Sequence, residues 1–76
     1  MKMNNNKSVQ TFELKEDFIE LIKLIKFMGL SETGGQAKLL VENGMVTVDG
    51  EVESRKRRKI RKGMTVKVGD ETIQVI

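Results

Sequence analysis

Gly29-Leu30-Ser31-Glu32-Thr33-Gly34-Gly35-Gln36-Ala37-Lys38-Leu39-Leu40-Val41-Glu42-Asn43-Gly44-Met45-Val46-Thr47-Val48-Asp49-Gly50 holds a turn, a complete helix and the start of a hairpin in one run. Thr33 and Gln36 have the spacing of a capping box, in which the threonine hydroxyl accepts from the backbone N–H at Gln36. Ala37, Leu40 and Val41 fall on one face of the helix that follows, and Asn43-Gly44 supplies a left-handed stop. Val46 and Val48 then alternate as a half-buried strand does, and Asp49-Gly50 turns the chain. A three-residue loop, Asp49 to Glu51, pairs Val48 with Val52 and keeps the apolar face whole, so that register is expected. A two-residue loop sets Val48 opposite Glu51 and turns Val52 away.

Upstream, Phe18, Leu21, Ile22, Ile25 and Met28 recur at three- and four-residue spacing and predict a first helix from about Glu16 to Met28. Glu16 and Asp17 would occupy its first turn, where they suit the helix dipole. The short connection from Gly29 to Glu32 makes the two helices a tight pair. Before them, Val9 to Leu14 reads as a short strand with Phe12 and Leu14 on one side and Val9 out of phase. Downstream, Met64, Val66 and Val68 alternate, Gly69-Asp70 turns, and Ile73 with Val75 forms a last strand. The fold class expected is α+β, two packed helices against a small, mostly antiparallel sheet. Residues 1–8 read as a disordered polar tail and 9–76 as one domain.

The 76 residues contain no Cys, His, Trp, Tyr or Pro. That inventory leaves zinc sites, disulfides, thiol chemistry, haem ligation and histidine-based triads without ligands. No catalytic residue, metal or cofactor is expected: Ser8, Ser31 and Ser54 have no histidine to activate them. So short a chain buries only about 60% of its unfolded surface, which favours a binding module over an enzyme. The apolar stretch Phe18 to Leu30 is interrupted by Glu20, Lys23 and Lys26, too short and too charged to span a bilayer. The N-terminal Met-Lys-Met-Asn-Asn-Asn-Lys-Ser has no hydrophobic segment behind its lysine, so no secretory leader is expected and the cytoplasm is the expected compartment.

Charge is strongly segregated. Arg55, Lys56, Arg57, Arg58, Lys59, Arg61 and Lys62 crowd between Ser54 and Lys62 without an anion, whereas the remainder carries seven cations against 11 acids. Such a patch focuses a field on a polyanion. If the segment is extended, Ile60 faces the core and Arg55, Arg57, Lys59 and Arg61 share the opposite face. An edge guarded against aggregation is the plainer reading, but this density of charge exceeds that need.

The residues Gly29-Leu30-Ser31, Gly34, Ala37-Lys38, Leu40-Val41, Gly44, Val46 and Val48-Asp49-Gly50 together resemble the S4 RNA-binding domain, or alpha-L motif, over about Phe18 to Val68. Ser31 to Lys38 and Glu53 to Ile60 look like a group of small stand-alone bacterial proteins made of this domain. The resemblance implies a non-catalytic RNA-binding surface built from the helix pair and the adjoining hairpin, favouring structured RNA of ribosomal or transfer type. It departs from the family at Glu20-Leu21-Ile22, where Arg-Leu-Asp is common, and at Thr33-Gly34, where a Ser-Arg pair is usual. Weight therefore shifts to Lys38 and the basic segment.

The candidate RNA-binding residues are Thr33, Gly34, Lys38, Arg55, Lys56, Arg57, Arg58, Lys59 and Arg61. Arginine clamps phosphate bidentately, which puts Arg55, Arg57 and Arg58 first. Gly34 and Gly35 are poor helix formers: either they let backbone N–H groups approach a phosphate or they permit close packing beneath the basic segment. Lys38 reads equally well as a solvated helix lysine. With three Phe in structural positions, base stacking is not expected, and recognition should be of backbone and shape. A protein-interaction module docking on an acidic partner, and a general polyanion or DNA binder, are the competing readings. A monomer is expected.

Overall fold

The computed structural model describes residues 8–76; the polar tail expected at the N-terminus otherwise lies outside them, and Ser8 already belongs to a strand. Seven strands and two helices follow one another as β1 (Ser8–Phe12), β2 (Ile19–Glu20), α1 (Leu21–Phe27), α2 (Gly34–Glu42), β3 (Val46–Val48), β4 (Glu51–Val52), β5 (Lys59–Ile60), β6 (Thr65–Val68) and β7 (Glu71–Val75). Because strand side chains alternate, Val46, Val48, Val66, Val68, Ile73 and Val75 all reach one buried face. The helix pair covers that face with Leu21, Leu24 and Ile25 from α1 and Ala37 and Val41 from α2. The main sheet has the order β1-β7-β6-β3-β4, antiparallel except for β1 against β7, and β2 pairs with β5 in a separate two-stranded ribbon. This is the α+β arrangement expected.

Local signals are realised closely. The Thr33 side chain caps α2 by accepting from the Gln36 N–H at 3.1 Å, and the Gln36 side chain reaches back to the Glu32 N–H at 2.8 Å. Both helices end in the same way. Leu30 N–H donates to Ile25 C=O and Met45 N–H to Leu40 C=O, around Gly29 and Gly44 at φ +76°. Val9 is exposed, as its phase requires, and Leu14 is buried just beyond β1, its N–H on the Ile76 carbonyl.

Two expectations fail. The first helix starts at Leu21, not at Glu16, so Glu16 and Asp17 stand in the preceding bend. The cause is non-local: Ile19 and Glu20 pair in extended form with Ile60 and Lys59. The N–H groups of Leu21 and Ile22 are then taken by the carbonyls of Arg58 and Lys56, at 2.9 and 3.1 Å. These carbonyls satisfy donors that a helix start otherwise leaves open. The β3–β4 hairpin is the second. Its loop has two residues, with Val48 opposite Glu51 and Thr47 opposite Val52. Asp49 at φ +52° and Gly50 at φ +89° give the left-handed pair that matches strand twist. Asp49 Oδ1 also accepts from Thr65 N–H at 2.9 Å. Val52 is left 65% exposed on a two-residue edge strand. Turn chemistry and the tie to β6 outweigh the burial of one valine.

Candidate nucleic-acid interface

The chain from Glu53 to Ile60 joins the main sheet to the β2–β5 ribbon. Glu53 N–H donates to Val46 C=O at 3.0 Å, which fixes the entry, and fully buried Ile60 fixes the exit. Between them a turn closes through Arg58 N–H on Arg55 C=O at 3.1 Å. The segment is paired as a strand only at Lys59–Ile60 and turns at Lys56–Arg57, yet exposure alternates as expected, with Arg55, Arg57, Lys59 and Arg61 exposed, Lys56 and Arg58 half-buried and Ile60 buried.

Six cations, Arg55 to Lys59 and Arg61, line one open groove of about 790 Å³, and Glu42 at the end of α2 lines it as well. Lys38 stands one helical turn before Glu42 and pairs with it at 3.8 Å, both half-exposed. Thr33 and Gly34 do not line the groove; they lie at the other end of α2, about 12 Å from Glu42 along the helix axis. A Cβ on Gly34 would meet nothing within 4 Å, and one on Gly35 only Thr33 Oγ1 at 3.8 Å. Close packing beneath the basic segment is thus not why these glycines are there.

The cations are not equivalent. Arg55 grips Glu53 with Nε at 2.9 Å and Nη2 at 3.2 Å, and Arg58 reaches the same carboxylate with Nη1 at 2.7 Å. The Arg55 N–H adds a fourth bond at 2.9 Å. Glu53 is only 6% exposed. The Arg55 side chain chiefly, then its N–H and the Arg58 guanidinium, overcome the cost of burial and hold the Glu53 carboxyl at about 2, below its ordinary 4.5. Reciprocally, Glu53 raises the Arg55 guanidinium further. Arg57 is exposed and makes no ion pair among the described residues. Lys59 and Arg61 flank the Phe18 ring, 5.0 and 5.7 Å from its centre, and Arg61 Nη1 donates to Asp17 C=O at 3.4 Å.

Sequence reasoning missed Glu53, Phe18 and Glu42. An acid standing one residue short of a run of cations, with only Ser54 between, is the one local signal for Glu53. Nothing local marks Phe18, whose partners lie some forty residues away.

A model of the S4 domain family matches residues 12–76. This chain belongs to the S4 domain family. It is 48% identical over 67 residues to the YbcJ protein of Escherichia coli strain K12, a match covering 87% of this chain and 96% of that protein. The solution structure of E. coli YbcJ, described as an alpha-L motif involved in RNA-binding, superposes with a TM-score of 0.68 at 39% identity and covers 100% of this chain and 95% of that one. The fold recurs within larger proteins. A pseudouridylate synthase matches with a TM-score of 0.65 at 24% identity, over 74% of this chain and 24% of its own. The 30S ribosomal protein S4e of Thermoplasma acidophilum matches with 0.64 at 24%, over 76% and 31%. Among the described residues, no helix is long and apolar enough to cross a membrane and no acidic cluster is arranged to hold a metal ion.

Proposed function

We propose that this chain binds structured RNA, of ribosomal or transfer type, by its phosphate backbone and shape, acting as a non-catalytic monomer in the cytoplasm. The observation that carries this reading is the convergence of six cations on one groove around a loop whose own backbone is tied down. YbcJ, with its description as an RNA-binding alpha-L motif, supports the same reading. No aromatic ring lines the groove, which disfavours an aromatic stacking platform. In this reading Arg57, Lys56, Lys59 and Arg61 meet phosphates directly, Arg55 and Arg58 do so while held by Glu53, and the unit spans residues 9–76. Thr33, Gly34 and Lys38 would extend the contact along α2.

The test is a titration of nuclease-treated protein into labelled structured RNA at several salt concentrations, with duplex DNA as competitor. Six cations less the charge of Glu53 correspond to about five phosphates, so log K should fall against log salt with a slope of about −3.5 to −4.5. Equal competition by duplex DNA would mean a general polyanion binder. No binding near physiological salt would leave the basic face to an acidic protein partner.

A further inference from the structure

We propose that Glu53 is a positioning residue for RNA binding, holding Arg55 and Arg58 as one preformed phosphate clamp; the inference rests on the RNA-binding reading above. Its carboxylate receives all four of its hydrogen bonds from these two residues, and its own backbone is fastened to Val46 of β3. The sheet therefore fixes the carboxylate, and the carboxylate fixes both guanidiniums.

Neither arginine is used up. A guanidinium has five N–H donors; Arg55 commits two to Glu53 and Arg58 commits one. The Arg55 side chain stays 71% exposed and that of Arg58 31%, and both line the groove. The free donors belong to planar groups already restrained, so a phosphate that binds them need not order two long side chains first.

An acid in a phosphate-binding loop is, on charge alone, a handicap, and that gives the test a sign. Glu53→Gln keeps the shape of the side chain and makes the loop one unit more positive. If the loop acts only as a cloud of charge, this variant binds structured RNA more tightly and with a steeper salt dependence. If Glu53 positions the clamp, it binds at least fivefold more weakly with a slope no steeper. Glu51→Gln is the control for charge. Glu51 lies two residues away and is exposed, and its side chain has no hydrogen-bond or ion partner among the described residues, so its neutralisation should tighten binding slightly.

Circular dichroism at the binding temperature establishes that each variant is folded. Arg55→Lys provides an independent arm, since it keeps the charge and loses the fork. It should bind severalfold more weakly under the proposal and unchanged under the cloud. Wild type that fails to bind structured RNA overturns the functional reading. Wild type that binds, alongside a folded Glu53→Gln variant that matches or exceeds it, overturns this inference alone. If Glu53→Gln does not fold, an unchanged Arg55→Lys affinity overturns it equally.

Discussion

Replacing Gly34 and Gly35 by alanine should stabilise the domain and, in the same variant, decide whether the start of α2 touches RNA. Both residues lie in the first turn of the helix, after the Thr33 cap, and neither has a positive φ. The added methyl at position 34 enters open space, and that at 35 sits 3.8 Å from Thr33 Oγ1, an ordinary contact that leaves the cap bond to Gln36 intact. Nothing in the folded state opposes the change, so the gain comes from the lower backbone entropy of the unfolded chain, about 0.4–1 kcal/mol per site. The pair should contribute about 1–1.5 kcal/mol, which in a domain of this size raises Tm by about 5–10 °C. Thermal melts followed by circular dichroism read this directly. An unchanged or lower Tm would refute the reasoning. RNA titration of the folded double variant gives the second answer. A loss of several-fold despite higher stability means that backbone N–H groups at Gly34 and Gly35 approach a phosphate. An unchanged affinity removes Thr33 and Gly34 from the interface and confines it to the groove.

The Glu53 carboxyl, held at about 2 instead of 4.5, contributes stability that is complete above the ordinary value and is lost as pH falls toward 2. At about 1.4 kcal/mol per pH unit the ceiling is about 3.4 kcal/mol, reduced to about 2 by solvent around exposed Arg55. Urea melts should therefore separate wild type from Glu53→Gln at pH 7 and bring them together near pH 2; a gap that does not close would refute the linkage. Arg57→Glu should weaken RNA binding by about tenfold or more without changing the melt, as expected of an exposed phosphate contact. Arg58→Glu should instead destabilise the domain by about 2 kcal/mol or more, because it sets a second carboxylate against buried Glu53; equal melts for the two reversals would contradict the observed ion pairs. In the hairpin, Gly50→Ala should cost about 1–2 kcal/mol at φ +89°, whereas Val52→Thr should stay within about 0.5 kcal/mol because that side chain is already in solvent. A costly Val52→Thr would restore the register with Val48 opposite Val52.

What the chain declares locally, it declares well. The Thr33–Gln36 cap, the glycine stops at 29 and 44 and the valine alternation of β3 and β6 each depend on residues within a few positions, and each can be read in order along the sequence. The start of α1 could not be read that way. Phe18 and Ile19 continue the apolar period of the helix, but Ile19 and Glu20 have their partners, Ile60 and Lys59, about forty residues on. Pairing with them also places two carbonyls over the next two N–H groups. Helical periodicity reports which side chains are buried and not which backbone groups are already engaged. At Asp49-Gly50 two local signals conflicted, and a fixed backbone geometry prevailed over one side chain at a sheet edge. The basic segment was legible as a charge, because composition suffices for that. Its division into two arginines on a buried acid, and others facing solvent, depends on where Glu53 falls relative to the core, and an isolated glutamate carries no mark of burial.

Like charges at this density repel, and a free loop of such composition would spread. Here the repulsion is met from inside the fold at several points. Glu53 takes two guanidiniums, the Phe18 face takes Lys59 and Arg61, and the carbonyls of Lys56 and Arg58 close the first turn of α1. The last of these matters most for recognition, since it ties the loop backbone to a helix whose Leu21, Leu24 and Ile25 are wholly buried. The position of the cations is thereby set by the core and not by the cations themselves. A surface that reads RNA by shape requires this, because mobile charges follow any polyanion, whereas charges at fixed spacing favour the backbone whose phosphates share that spacing.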